Sequence, residues 1–229
     1  MSSGNGSRVT AAFFRVEGTL VRRGAISAAA YFAAGGAGFA ERAFKLGQVA
    51  LTAPVYSLLG QNDRTLANRL AYLPLRNMGE DRIAELAEEY FEDILRERVL
   101  EGGVELMRQA RRGGHRVVLL SDGLEQVMQP LVTHLRRVDD CVCNRLELRD
   151  GRATGKLLDP VIGGHDSARW ARRYAEEHGI DLAGSVVYAA HGPDMLLMSS
   201  VGEACAVNPD FTLRRAARES DWPIVDYDV

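Results

Sequence analysis

Apolar and polar positions divide this chain of 229 residues into stretches of different rhythm. Residues 11–14, Ala-Ala-Phe-Phe, form a short unbroken apolar run, the pattern of a strand covered on both faces. Arg15 ends the run, and Gly18-Thr19 then mark a tight turn. From about residue 23 to 98 no alternating run occurs and the patterns are helical, punctuated by Gly35-Gly36 and Ala53-Pro54. Over 81–96, Ile83, Leu86, Ala87, Tyr90, Phe91, Ile94 and Leu95 recur as one face of an amphipathic helix, a stripe that reads as core.

At Gly102 the rhythm changes. A helix over 104–112, closed by Gly113-Gly114, leads to an apolar strand over 115–120, and Ser121-Asp122-Gly123 turns into a helix that runs to about Leu135. Asp150-Gly151 between alternating segments predicts a β-hairpin over 146–157. The remainder alternates: helix 166–178 closed by Gly179, strand 185–190, short helix 194–201, strand 203–207, helix 211–219 and strand 223–225.

Such alternation predicts an α/β fold, a three-layer Rossmannoid core with a parallel sheet covered by helices on both faces. The opening strand belongs to that sheet. The all-helical stretch inserted after it then sits as a cap over the C-terminal ends of the strands, with the active groove between cap and sheet. The expected division is 1–22 and 100–229 for the core, 23–99 for the helical cap, and 1–7 as a polar disordered tail.

Composition changes this picture little. With 46% hydrophobic and 26% charged residues and a net charge of −3, nothing calls for a nucleic-acid partner. Three cysteines favour a reducing cytoplasm, and Cys141-x-Cys143 with His134 lacks the second pair that a zinc site needs. The first seven residues have neither the basic nor the apolar region of a secretory signal. Residues 24–40 and 46–62 are each uncharged for 17 residues, but they are rich in Gly, Ala and Ser and are separated by Glu41, Arg42 and Lys45. They fall short of a spanning helix; packed helices are the main expectation and a peripheral membrane contact the lesser one.

Arg15 poses the chemical question. A guanidinium at the end of a buried strand needs a carboxylate, an anion or a polar cleft opposite it.

The motifs Phe13-Phe-Arg-Val-Glu-Gly-Thr-Leu20, Val117-Val-Leu-Leu-Ser-Asp-Gly123, Thr154-Gly-Lys156, Tyr188-Ala-Ala-His-Gly-Pro-Asp194, Ala206-Val-Asn-Pro-Asp210 and Trp222-Pro-Ile-Val225 follow one another in a familiar order. In that order the chain resembles the haloacid dehalogenase superfamily, in its phosphoserine-phosphatase-like branch (subfamily IB). The resemblance implies a first motif Asp-x-Asp-x-Thr, in which the first Asp attacks phosphorus, the second is the general acid/base and the Thr helps hold the phosphoryl group. Here those positions are Arg15, Glu17 and Thr19. It implies a Ser at the second motif, which Ser121 matches, with the backbone N–H groups of Asp122 and Gly123 suited to an anion. The third motif is a Lys; Ser167 stands in its place, with Lys156 and Arg169 nearby in sequence. The fourth supplies acidic Mg²⁺ ligands, and here Ala190 replaces one while Asp194 remains.

A guanidinium stays protonated and offers no lone pair for attack. Loss of two carboxylate ligands beside a new cation leaves no Mg²⁺ expected and no other cofactor. The expectation is a catalytically inactive pseudo-phosphatase, in which Arg15 stands in the metal's electrostatic place and pairs with Asp194, Glu17 or an anion held by Ser121 and Thr19. Its partner would be a small anionic ligand or a protein. The alternative is an active phosphoserine-phosphatase-like phosphomonoester hydrolase, with Mg²⁺, using displaced residues such as Glu17, Asp122, Asp166, His191 or Asp194.

Overall fold

The computed structural model describes residues 9–22, 24–36, 38–59 and 63–227; the expected tail at 1–7 lies outside them. β1 (Ala11–Arg15) is buried along its whole length. It sits inside a six-stranded sheet, between β2 (Arg116–Leu124) and β6 (Val186–Ala189). β3 (Asp140–Asn144), β7 (Glu203–Val207) and β8 (Ile224–Val225) complete the order β3-β2-β1-β6-β7-β8, with parallel pairing throughout.

Alternation along β1 separates the two outer layers. Ala12 and Phe14 face α5 (Glu101–Arg112) and α6 (Glu125–Leu135), in one core with Met107, Ala110, Val127 and Leu131. Ala11 and Phe13 face α7 (Gly164–His178), α8 (Met195–Met198) and α9 (Phe211–Glu219), in a second core with Ala168, Ala171, Leu197, Leu213 and Ala217. Phe14 stacks on Tyr188 with centroids 4.3 Å apart, and Phe13 meets Tyr174 edge-on at 6.4 Å. Burying each of these rings stabilises the sheet by about 1.5–3 kcal/mol.

Between β1 and β2 the chain builds the cap from α1 (Ala25–Ala34), α2 (Phe39–Leu59), α3 (Arg64–Ala71) and α4 (Glu80–Tyr90). The stripe Ile83, Leu86, Ala87 and Tyr90 is core. The regular helix stops at Tyr90, however, and Phe91–Leu95 form a wider π-type turn instead of continuing to 96. A Cβ on Gly35 would lie 2.4 Å from Leu86 Cδ2, so the glycine lets the end of α1 press on α4.

The hairpin of β4 (Leu146–Arg149) and β5 (Arg152–Leu157) turns through Asp150 and Gly151 at φ 51° and 71°, the left-handed pair that a primed turn requires. It is a separate two-stranded sheet that braces the cap: Gly79 bridges to Arg152, and Asn77 N–H donates to the Ala153 carbonyl at 2.8 Å. The cap therefore leans on a β-element from the other part of the chain.

One local expectation is corrected, and one strand was not foreseen. Ser121-Asp122-Gly123 does not open a helix. The chain stays extended through Leu124, past a shift in its register with β3, and α6 begins only at Glu125. Edge strand β3 carries Cys141 and Cys143; its polar Asp140 and Asn144, with Asp139 just before it, hid the run. No described helix is long and apolar enough to cross a membrane.

Candidate functional site

The C-terminal end of β1 is closed by a compact turn. Leu20 and Val21 N–H both donate to the Val16 carbonyl, and Gly18 takes a φ of 85°. A Cβ at Gly18 would sit 2.5 Å from Ala190 Cβ, so this turn packs directly on the residues that follow β6. The Thr19 hydroxyl turns back to donate to the Arg15 carbonyl. Thr19 is thereby engaged by its own turn.

Arg15 is 1% exposed and surrounded by carboxylates. Its Nη2 donates to Asp122 Oδ1 at 2.7 Å, its Nε lies 3.0 Å from Asp194 Oδ1, and its Nη2 is 3.8 Å from Glu17 Oε2. Asp122 is thus the strongest partner, ahead of the expected Asp194 and Glu17. From the cap, Arg64 brings its Nε to 3.1 Å from the other oxygen of Asp122. One carboxylate bridges a guanidinium of the sheet and a guanidinium of the cap.

Glu17 takes the donors assigned to an anion. The Ser121 hydroxyl donates to Glu17 Oε1 at 2.5 Å, and Asp122 N–H donates to the same oxygen at 3.1 Å. Gly123 N–H donates to Ser121 Oγ at 2.9 Å. The cradle of Ser121, Asp122 and Gly123 forms, and a side chain of this chain fills it.

The charges explain the arrangement. Burial pushes the Asp122 carboxyl up, but Arg15 and then Arg64 outweigh it and hold Asp122 below the ordinary range. Burial and then Asp122 push Glu17 above its ordinary range, against the opposing pull of Arg15. Burial alone would lower Arg15, yet Asp122, Asp194 and Glu17 raise it further. Two guanidinium groups face three carboxyls, and Glu17 is the carboxyl that burial and Asp122 push toward its neutral form.

Neutral hydrogen bonds hold the frame. The Asp122 carbonyl accepts from Asn144 Nδ2 at 2.9 Å and from the Tyr72 hydroxyl at 3.2 Å. Ile162 N–H donates to Asn144 Oδ1 at 2.8 Å, and its carbonyl accepts from Asn68 Nδ2 at 2.8 Å. Tyr72 and Asn68 come from the cap, so these bonds tie cap to core. Tyr56 of α2 lies beside Arg64, its phenol pushed up chiefly by burial and by Asp122.

The other sequence candidates are distributed unevenly. Ser167 is buried on α7, and its hydroxyl has no hydrogen-bond partner among the described residues. Ala190 and Asp194 are buried at the end of β6. His191 faces Asp210, 3.5 Å from its Oδ2, and Asp166 accepts from Thr65 and pairs with an exposed Arg169. Lys156 is exposed on the hairpin, so the cation added to the cluster is Arg64 rather than Lys156 or Arg169. His134 meets the Phe91 ring at a tilt of 60°, centroids 5.6 Å apart.

Arg64, Tyr72, Asn68 and Asn144 were not singled out from the sequence. For Arg64 a signal existed: it opens α3 directly after the N-cap Asp63, where a cation opposes the helix dipole and calls for an outside carboxylate.

The donor set does not suit Mg²⁺. Asp122 and Asp194 both point oxygens at Arg15, Ala190 offers none, and a fixed guanidinium stands among the acidic oxygens. Among the described residues, no group of three or more His, Cys, Asp or Glu side chains is placed to hold a metal ion.

The sequence model of the family described as HAD, haloacid dehalogenase-like hydrolase, matches residues 12–199. The phosphoserine phosphatase SerB1 of Mycobacterium tuberculosis is 30% identical, over 96% of this chain and 71% of that one. The "inhibition of morphological differentiation protein" of Streptomyces azureus is 29% identical, over 74% of this chain and 62% of that one. A crystal structure of a protein of unknown function from Bordetella pertussis superposes with a TM-score of 0.81 at 20% identity, over 96% of this chain and 99% of that one. A substrate-bound phosphoserine phosphatase complex superposes with a TM-score of 0.72 at 17% identity, over 96% and 93%. At these identities the two structures speak for the fold.

Proposed function

Because this chain belongs to the haloacid dehalogenase-like hydrolase family, we propose that it is a pseudo-phosphatase, a family fold that has lost aspartyl-phosphate chemistry and acts by binding. The observation that carries this reading is Arg15 at the end of β1, ion-paired to Asp122 and Asp194. A carboxylate there would attack phosphorus; a guanidinium held by two carboxylates has neither the electrons nor the freedom. Two further observations support it. Glu17 fills the donors of Ser121 and Asp122 that would receive a phosphoryl group, and the acidic oxygens needed for Mg²⁺ are spent on Arg15.

What the site does instead is mechanical. Asp122 bridges Arg15 and Arg64 and so fastens cap to core. The space left beside Glu17, between Val16, Tyr90, Val127 and Met128, holds about 20 Å³, on the scale of one water and too small for a phosphomonoester. A protein partner fits this closed state better than a small anion does. A cytoplasmic setting suits the three thiols, none of them in a disulfide.

The test is turnover. The full chain with Mg²⁺, offered phosphoserine and a panel of other phosphomonoesters, should release no phosphate above the enzyme-free rate. The rival reading is an active phosphomonoesterase using Glu17, Asp122 or Asp194, and the 30% identity to a phosphoserine phosphatase favours it. Turnover that disappears in Glu17→Gln or Ser121→Ala would establish that rival.

A further inference from the structure

The longest helix of the cap is inside out. α2 turns Lys45, Val49 and Tyr56 inward, where each is buried, and shows its large apolar residues to solvent. Phe44 is 67% exposed, Leu51 76% and Leu58 75%, with Val55 beside them at 43%. Between residues 43 and 58 every exposed position whose side chain is described is apolar: Ala43, Phe44, Leu46, Gly47, Ala50, Leu51, Pro54, Val55 and Leu58. In a chain with 26% charged residues, a charge-free outer face about four turns long is out of character.

Its spacing says what kind of surface would cover it. Phe44, Leu51 and Leu58 stand seven residues apart, a row about 21 Å long on one side of the helix. Gly47 and Pro54 fall between them at the heptad's second core position, three residues on, with Ala43 and Ala50 alongside. Bulky side chains repeating every seven residues, with small ones between, form the knobs and holes by which one helix takes another. The exposed apolar surface of this face is on the order of 700 Å², scaled from ordinary side-chain areas, close to the roughly 800 Å² that each partner contributes to a stable interface.

We propose that this face is covered by the same face of a second copy, α2 packing antiparallel on α2 across a two-fold axis near Leu51. Phe44 of one protomer then meets Leu58 of its partner, and Leu51 meets its own counterpart. A two-fold contact sets each patch against itself, and a face without charge meets no repulsion there. A lipid surface fits less well. Interfacial helices border their apolar face with Lys and Arg, whereas here Lys45 is turned inward, Arg42 donates to the Gly36 carbonyl, and the chain is net negative. The dimer would stiffen the helix that brings Tyr56 beside Arg64. The inference does not depend on whether the chain hydrolyses phosphate.

Sedimentation equilibrium of the full chain tests it, with the wild type run well above micromolar concentration beside Leu51→Glu and Arg82→Glu. Leu51 is exposed, so its replacement leaves the fold intact, which circular dichroism and the melting temperature check; Arg82 is on α4, away from this face. The expected result is a dimer for wild type and Arg82→Glu and a monomer for Leu51→Glu. Under mild oxidation Leu51→Cys should cross-link to a dimer, and Arg82→Cys should not. A wild type that stays monomeric overturns the proposal, as does a dimer that survives Leu51→Glu without the Leu51→Cys cross-link. A monomer that floats with phosphatidylcholine–phosphatidylglycerol vesicles, and ceases to in Leu51→Glu, assigns the face to a membrane instead.

Discussion

Ser121 of β2 donates its hydroxyl to Glu17 across 2.5 Å, so this serine holds a carboxyl of its own chain where an anion was expected. Every other feature of the site follows from that internal bond and from the ion pairs of Arg15. The cluster is built to be stable when closed, and stability is where it can be probed most directly.

Glu17 is held above its unfolded value of 4.5, by burial first and Asp122 second. A raised folded pKa favours the protonated form, so this contribution is complete below pH 4.5 and is lost as pH rises through the folded value. Glu17→Gln keeps an acceptor for Ser121 and cannot ionise. Its melting temperature should decline less than that of wild type as pH rises above 4.5, and equal slopes would refute a raised pKa at Glu17.

Arg15→Met keeps the volume and removes the charge that both Asp122 and Asp194 face. Breaking a buried pair from one side costs about 3–5 kcal/mol, because the carboxylates left behind are uncompensated. Thermal unfolding should shift down by roughly ten degrees for a chain of this size. An unchanged midpoint would mean that the carboxylates find other partners.

Arg64→Ala cuts the charged tie between α3 and Asp122, at a side chain only 12% exposed. Cutting a largely buried ion pair from one side costs up to about 3–5 kcal/mol, and this one joins cap to core. Amide exchange should quicken in α3, while β1 and β2 stay protected. Uniform change across the chain, or none, would count against Arg64 as the latch.

Asp210 caps α9, accepting from Leu213 N–H at 2.8 Å and from Gly192 N–H at 3.0 Å. Burial pushes it up, but His191 and those two N–H groups outweigh burial and bring it down to about 2. Asp210→Ala should cost about 1–2 kcal/mol at neutral pH. A lowered folded pKa gives stability that is present above 3.8 and lost as pH falls through about 2, so the gap to wild type should narrow on acidification. Melting curves across that range decide it.

Much of this was legible along the chain. The apolar run at 11–14, the Asp150-Gly151 turn and the helix-strand alternation after residue 102 each have a period or a turn residue that states the local conformation. That position 15 offers no nucleophile was legible too, since an Arg is incapable of attack in any fold. Less visible were β3, whose short run is flanked by acidic residues, and the extended stretch Ser121–Gly123, where a bulge competes with a helix start.

The sequence by itself determined the layers, the insertion of a cap after the first strand and the absence of a carboxylate at its end, because periodicity and side-chain chemistry are local. Tertiary structure alone decided who holds Arg15. Asp122 lies 107 positions away, Arg64 enters from the cap, and Glu17 reaches Ser121. Those pairings come from how strand ends and cap helices converge, and from the cost of leaving any buried charge without an opposite; neither is written in the spacing of residues along the chain.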